Sequence, residues 1–183
     1  MSDVKSPGTI DEKALFEKFI KQITDNSVAK ADTRGGHGGV VVTEGYLYNS
    51  NREDNKELHI IDEHHWSGEL DPEFPFPPSL EWRPLGPISP ITPFKHRARI
   101  PEGSVAGVVY ADGQRQWLVA FDMSNQKIYA EAGPISTVDW CEVKVKLDQS
   151  TDSSRHEDPI FGGIAYAHFY LEGVNSVYAL FYR

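Results

Sequence analysis

One cysteine, Cys141, stands in 183 residues, so no internal disulfide framework holds this chain. No apolar run approaches the roughly 18 residues that a membrane-spanning helix needs. No apolar h-region of signal-peptide type opens the sequence. The expectation is a soluble, unsecreted, cytoplasmic protein. Positive charge is scarce as well: 18 Lys and Arg face 27 Asp and Glu, a net charge of −9. The excess is local. Residues 1–38 carry six acids and six bases, whereas residues 53–81 carry nine acids and one base, Lys56. Nucleic acid requires a basic footprint and anionic lipid attracts one, so neither partner is favoured. Glycine-rich phosphate loops are missing too. The cluster Arg34-Gly35-Gly36-His37-Gly38-Gly39 follows no strand and opens no helix with Gly-Lys-Ser/Thr, so it reads as a hinge. No cofactor is expected.

What is present is aromatic and strand-like. Eight Tyr, nine Phe and four Trp suit a sheet protein. From Val40 onward apolar residues recur with period two, giving candidate strands at 40–49, 56–65, 95–100, 104–111, 116–123, 127–132, 140–147, 164–172 and 176–182. In the 140–147 segment Cys141, Val143, Val145 and Leu147 fall on one face of such a strand. Ala111-Asp112-Gly113-Gln114 and Glu172-Gly173-Val174-Asn175 read as hairpin turns, with Asp-Gly supplying positive φ in the first. The expected fold is mainly β, a two-sheet antiparallel β-sandwich over 39–183.

Residues 1–38 are of another kind. After a start expected to be disordered, Thr9 and Glu12 have the form of a capping box. Behind them Leu15, Phe16, Phe19, Ile20 and Ile23 make an apolar stripe at helical spacing, predicting one N-terminal amphipathic helix from about residue 10 to about residue 24. The plain role of the stripe is packing on the body or a partner. A membrane-binding or pore-forming role is the alternative, weakened by a balanced rather than basic set of charges.

The candidate site lies between residues 59 and 93. Nine of the twelve prolines fall between Pro72 and Pro101. Proline gives a sheet no donor, so this run is predicted to be ordered, irregular chain. It carries Phe74, Phe76 and Trp82, and is preceded by His64, His65 and Trp66. These six residues are the candidate ligand-binding set, for a small apolar molecule or a glycan stacked on aromatic faces. In the plainer reading Phe74 and Trp82 only anchor the loop. A metal is not expected: strand alternation puts His59, Glu63 and His65 on one face and Asp62 and His64 on the other, so three ligands do not converge. Catalysis finds little support. Cys141 is read as a buried apolar residue, and residues 153–158 as a loop rather than a triad. A small enzyme with an acid/base site around His64 and His65 is kept as an alternative.

Several short motifs carry a resemblance. Tyr46-Leu47-Tyr48-Asn49, His65-Trp66-Ser67-Gly68, Ala106-Gly107-Val108-Val109-Tyr110, Trp117-Leu118-Val119-Ala120-Phe121, Tyr129-Ala130-Glu131 and Asp139-Trp140, in this order, resemble the plant 23 kDa jasmonate-induced protein family. That resemblance implies a stress- and hormone-responsive plant protein, and the expected role is that of a non-enzymatic stress or defence protein. More distantly, the chain is similar to the actinoporin-like sandwich of sea-anemone cytolysins and fungal fruit-body lectins. It departs from the cytolysins at Ala120-Phe121-Asp122-Met123, which lacks their Ser and Pro pattern, and at 151–163, which lacks their tyrosine cluster. The lectin-like fold is the implication that survives.

Overall fold

Alternating apolar side chains bury one face of a strand, and two sheets facing one another bury both sets at once. A computed structural model describes residues 39–51, 56–83, 93–170 and 176–182, together with Ala14, Glu17, Lys18 and Lys21. The chain divides into two units, Met1–Arg34 with Leu85–Pro90, and Gly35–Pro84 with Ile91–Arg183. In the first, the four described residues are helical and exposed, at the spacing of a single helix face. The predicted stripe Leu15, Phe16, Phe19, Ile20 and Ile23 lies outside the described residues.

The second unit holds the sandwich. In chain order it runs β1 (Val40–Asn49), β2 (Leu58–Ser67), β3 (Glu69–Leu70), β4 (Ser79–Leu80), β5 (Phe94–Arg99), β6 (Val105–Ala111), β7 (Arg115–Asp122), β8 (Lys127–Pro134), α1 (Trp140–Gln149), β9 (Ser153–Glu157), β10 (Ile164–Tyr170) and β11 (Ser176–Tyr182). One sheet has the order β3-β5-β1-β11-β10-β9, the other β4-β2-β6-β7-β8. All described strand pairs are antiparallel except β1 with β11, which are parallel. The expected mainly β two-sheet sandwich is the fold observed.

Between the sheets lie Leu47, Leu58, Phe94, Val108, Tyr110, Trp117, Val119, Phe121, Phe169, Val177 and Phe181, buried to within 3%. A second, smaller core covers the outer face of the β2-β6-β7-β8 sheet. There Val105, Val109, Leu118 and Ala120 meet Val143 and Leu147 of α1.

That helix corrects the sequence reading of 140–147 as a strand. Trp140-Cys-Glu-Val-Lys-Val-Lys-Leu satisfies both periods, and its ends decide. The Asp139 carboxylate accepts from the Cys141 and Glu142 amides at 2.9 and 3.2 Å, an N-cap. Glu142 and Lys146 pair at 3.0 Å, one turn apart, and Lys144 pairs with Asp148. Val143 and Leu147 are buried. Cys141 and Val145, which a strand would have buried with them, are exposed.

Two further corrections concern connections. Residues 153–157, read as loop, form β9. Its Ser154 hydroxyl and His156 Nδ1 accept from the Ala130 and Ala132 amides of β8, at 3.0 and 3.2 Å. At the β6–β7 hairpin only Gly113 has positive φ, 95°. Asp112 instead caps the turn, accepting from the Gln114 and Arg115 amides at 2.9 and 2.8 Å. The predicted 172–175 turn lies outside the described residues.

Candidate functional site

Side chains opposite one another on paired strands share a face, so the register of β2 on β6 assigns each β2 residue to a side. The register shifts between Ile60 and Asp62 and again between His65 and Ser67. Each shift is a bulge that inserts one residue and inverts the alternation. His64 stands opposite Gly107 on the outer face, and His65 opposite Ala106 on the inner one. As expected, the adjacent histidines diverge. The bulge at Ile61 also moves His59, opposite Ala111, to the side of Asp62 and His64, which corrects its grouping with Glu63 and His65. No group of three or more metal-ligating side chains occurs among the described residues.

On the outer face the bulged Trp66 completes a group with His64, Asp62 and Trp140, the first residue of α1. His64 lies edge-on to Trp66, with centroids 4.8 Å apart, and nearly parallel to Trp140 at 5.5 Å. The two indoles meet edge to face at 5.6 Å. The Trp140 Nε1–H donates to Asp62 Oδ2 at 3.1 Å. Gly107 lets the indole lie down on β6, because a Cβ there would come within 2.7 Å of the ring. All four side chains are half-buried. The ring nitrogens of His64 form no hydrogen bond among the described residues.

Behind them, on the inner face, His65 enters a closed polar chain. Its Nδ1 is 3.1 Å from His96 Nε2, His96 Nδ1 is 2.8 Å from Ser104 Oγ, and Thr43 Oγ1 donates to Ser104 Oγ at 2.6 Å. His65 Nε2 is 3.5 Å from Glu63 Oε1. One set of protons satisfies every link: Thr43 donates to Ser104, Ser104 to His96, His96 to His65 and His65 to Glu63. Thr43, His96 and Ser104 are fully buried. Burial, and then the neighbouring His65, lowers the His96 pKa to about 4. The chain resembles a nucleophile relay only in its residue types, since no substrate reaches a fully buried Ser104 hydroxyl.

The proline run sends its aromatics elsewhere. Phe76 is core, 4% exposed, with its ring 4.7 Å from Phe94. Phe74 lies under the Lys95 ammonium at 4.3 Å, and backbone bonds to Asp71 and Lys95 hold it. Trp82 bridges to Asn49 at the end of β1. No ring contact joins Phe74 or Trp82 to Trp66 among the described residues. Of the six predicted residues, His64 and Trp66 meet on the outer face, and His65 and Phe76 stack on the inner one with centroids 6.0 Å apart. Sequence reasoning missed Trp140 and Asp62 as partners of the outer pair; the signal was the Asp139–Glu142 capping form, which makes Trp140 a helix start.

Beside this group, α1 is tied to β8. The Tyr129 hydroxyl donates to Glu131, and Lys146 reaches Glu131 at 3.1 Å. Burial, reinforced by Glu131, raises the Tyr129 pKa. Burial alone would raise Glu131, but hydrogen bonds from Tyr129 and Lys146 outweigh it and lower the pKa.

No family model matches the chain, and no curated protein does. Solved structures do. The lipid-binding protein Nakanori superposes with a TM-score of 0.62 at 14% identity, over 93% of this chain and 84% of that one. Xerocomus chrysenteron lectin XCL superposes with a TM-score of 0.50 at 11% identity, over 78% of this chain and 98% of the lectin. A substituted form of that lectin gives the same TM-score over 80% and 99%. At such identities the likeness establishes the sandwich fold shared with a lipid-binding protein and a fungal lectin.

Proposed function

We propose that this chain is a non-enzymatic binding protein whose outer-face group, Trp66, His64, Trp140 and Asp62, holds a sugar ring. The observation that carries the reading is the arrangement of two indoles, an imidazole with no hydrogen bond among the described residues and a carboxylate as one half-buried surface outside the inter-sheet core. Indole faces suit the C–H side of a pyranose, while His64 nitrogens and the remaining lone pairs of Asp62 suit its hydroxyls. The group is largely preorganised, because α1 is capped and packed and Trp66 sits on a bulge. Net negative charge favours a neutral ligand over an anionic one. The fold's occurrence in a lectin and a lipid-binding protein supports a binding role. The resemblance of the short motifs to the jasmonate-induced family supports placing that role in a plant stress or defence response.

Glycan arrays followed by titration calorimetry test the site. A neutral glycan is expected to bind, with affinity lost in Trp66→Ala. Absence of any hit, or a hit indifferent to Trp66→Ala, removes the reading.

A further inference from the structure

The turn between β9 and β10 exposes what a fold ordinarily hides. Ile160 is 82% exposed and Phe161 49%, at the tip of the run Asp158-Pro159-Ile160-Phe161-Gly162-Gly163. The tip is shaped by the chain itself. The buried Asp158 accepts at Oδ1 from the Ile160 amide at 2.9 Å and the Phe161 amide at 3.4 Å, and its own amide donates to Gly163 O at 3.0 Å. Gly162 and Gly163, at φ 67° and 123°, turn the chain back into β10. Both amides at the apolar tip therefore have an internal partner. Moving the tip into an apolar medium strands neither of them.

A third apolar side chain stands at the same end. The bonds from Ala130 to Ser154 and from Ala132 to His156 make β8 and β9 advance side by side in one direction. Three residues past Ala132 is Ile135, 46% exposed; three past His156 is Pro159. The β6–β7 hairpin closes this end, where the Ile135 amide donates to Gln114 O at 3.3 Å. The Trp66 group is elsewhere, because His65 and Ser67 lie beside Ala106 and Val105, at the opposite end of β6.

The size and charge of this tip choose its occupant. A stable protein interface, including one with a second copy, takes roughly 800 Å² from each side. Three side chains on a convex turn offer much less. A bilayer asks only that a few large apolar groups dip below the headgroups. The chain's net charge is −9, and Glu157 with its partner Arg155 adds no net positive charge at the base of the turn, so an anionic leaflet gains nothing. We propose that the Pro159–Phe161 turn, flanked by Ile135, is a shallow insertion tip that docks this end of the sandwich on a neutral, zwitterionic bilayer. The proposal is independent of the sugar site.

Vesicle flotation tests it, using the full chain with phosphatidylcholine vesicles with and without cholesterol. Bound fractions are compared among the native chain, Ile160→Asp/Phe161→Asp, and Val145→Asp, a control at another exposed apolar residue. The expected result is native binding that resists added salt, falls about tenfold or more in the double variant and is unchanged in the control. A second readout places a polarity-sensitive dye on Ile160→Cys in a Cys141→Ser background. Its emission is expected to shift to the blue on neutral vesicles and to be quenched by bromine-labelled lipid. Four results overturn the proposal: no binding to neutral vesicles, binding that requires anionic lipid, binding that survives the double substitution, or a dye that remains in water. Self-association dissolved by the double variant would also overturn it, by making a second copy the occupant.

Discussion

His64 and His65 are neighbours in sequence and belong to two different regions of the molecule. His64 faces outward among Trp66, Trp140 and Asp62, with its ring nitrogens unpaired among the described residues. His65 faces inward, in a chain whose members are hydrogen-bonded from Thr43 to Glu63. The outer group is half-buried and keeps spare hydrogen-bonding capacity; the inner one spends that capacity on itself. A polar cluster closed in this way contributes to stability and specificity of packing, and one left open toward solvent is able to take a ligand. The same residue type thus gives structure on one face and a candidate site on the other.

The sharpest way to break this comparison is at His96, the centre of the inner chain. His96→Ala removes a fully buried ring and both of its hydrogen bonds, with an expected loss of about 3–4 kcal/mol in urea unfolding. Affinity for a sugar at the outer group should change little. If that affinity collapses while the variant remains folded, the two faces are not separate.

Acid gives the second test. His96 is held neutral, with its pKa lowered to about 4 from an ordinary 6.5. Between these values the unfolded chain binds the proton and the folded one does not, so stability is full above about pH 6.5 and declines as the pH falls toward 4. The expected loss is about 3 kcal/mol across that window. Denaturant titrations at pH 7 and pH 4.5 measure it. His96→Gln should flatten this component, whereas His64→Gln should leave it in place.

On the outer face, Trp66→Ala should cost only about 1–2 kcal/mol of stability, since the ring is half-exposed, yet lower sugar affinity about tenfold or more. Equal stability losses for Trp66→Ala and His96→Ala would mean that Trp66 is core rather than site. The smallest effect is expected at Asp139. Replacing it with Ala removes the N-cap for about 1 kcal/mol and loosens Trp140 at the helix start. A measurable fall in affinity without change at the inner chain would tie the cap to the outer group.

Parts of this architecture are readable from the chain because the physics involved is local. The strands at 40–49 and 176–182 fall on the predicted residues, and the Asp112-Gly113 turn marks a real hairpin. The 140–147 segment fails because its apolar residues suit two periods, and burial of Val143 and Leu147 without Val145 is decided by what α1 rests on. The six candidate aromatics and histidines are divided between two faces, with Phe74 and Trp82 apart from both pairs, for a related reason. Phe76 fills a place beside Phe94, Phe74 lies under Lys95, and Trp66 turns outward on a bulge.

By itself the sequence determined the fold class, most of the strands, the divergence of His64 from His65 and the net negative charge. Those follow from residue type, period and charge, which each stretch of chain carries independently of the rest. Only tertiary structure decided that Trp140 meets Trp66 and Asp62, and that His65 finds His96 and Ser104. Those contacts join residues 31 to 78 positions apart. Packing two sheets face to face and laying a helix across one of them brings such residues together, and no local pattern records it.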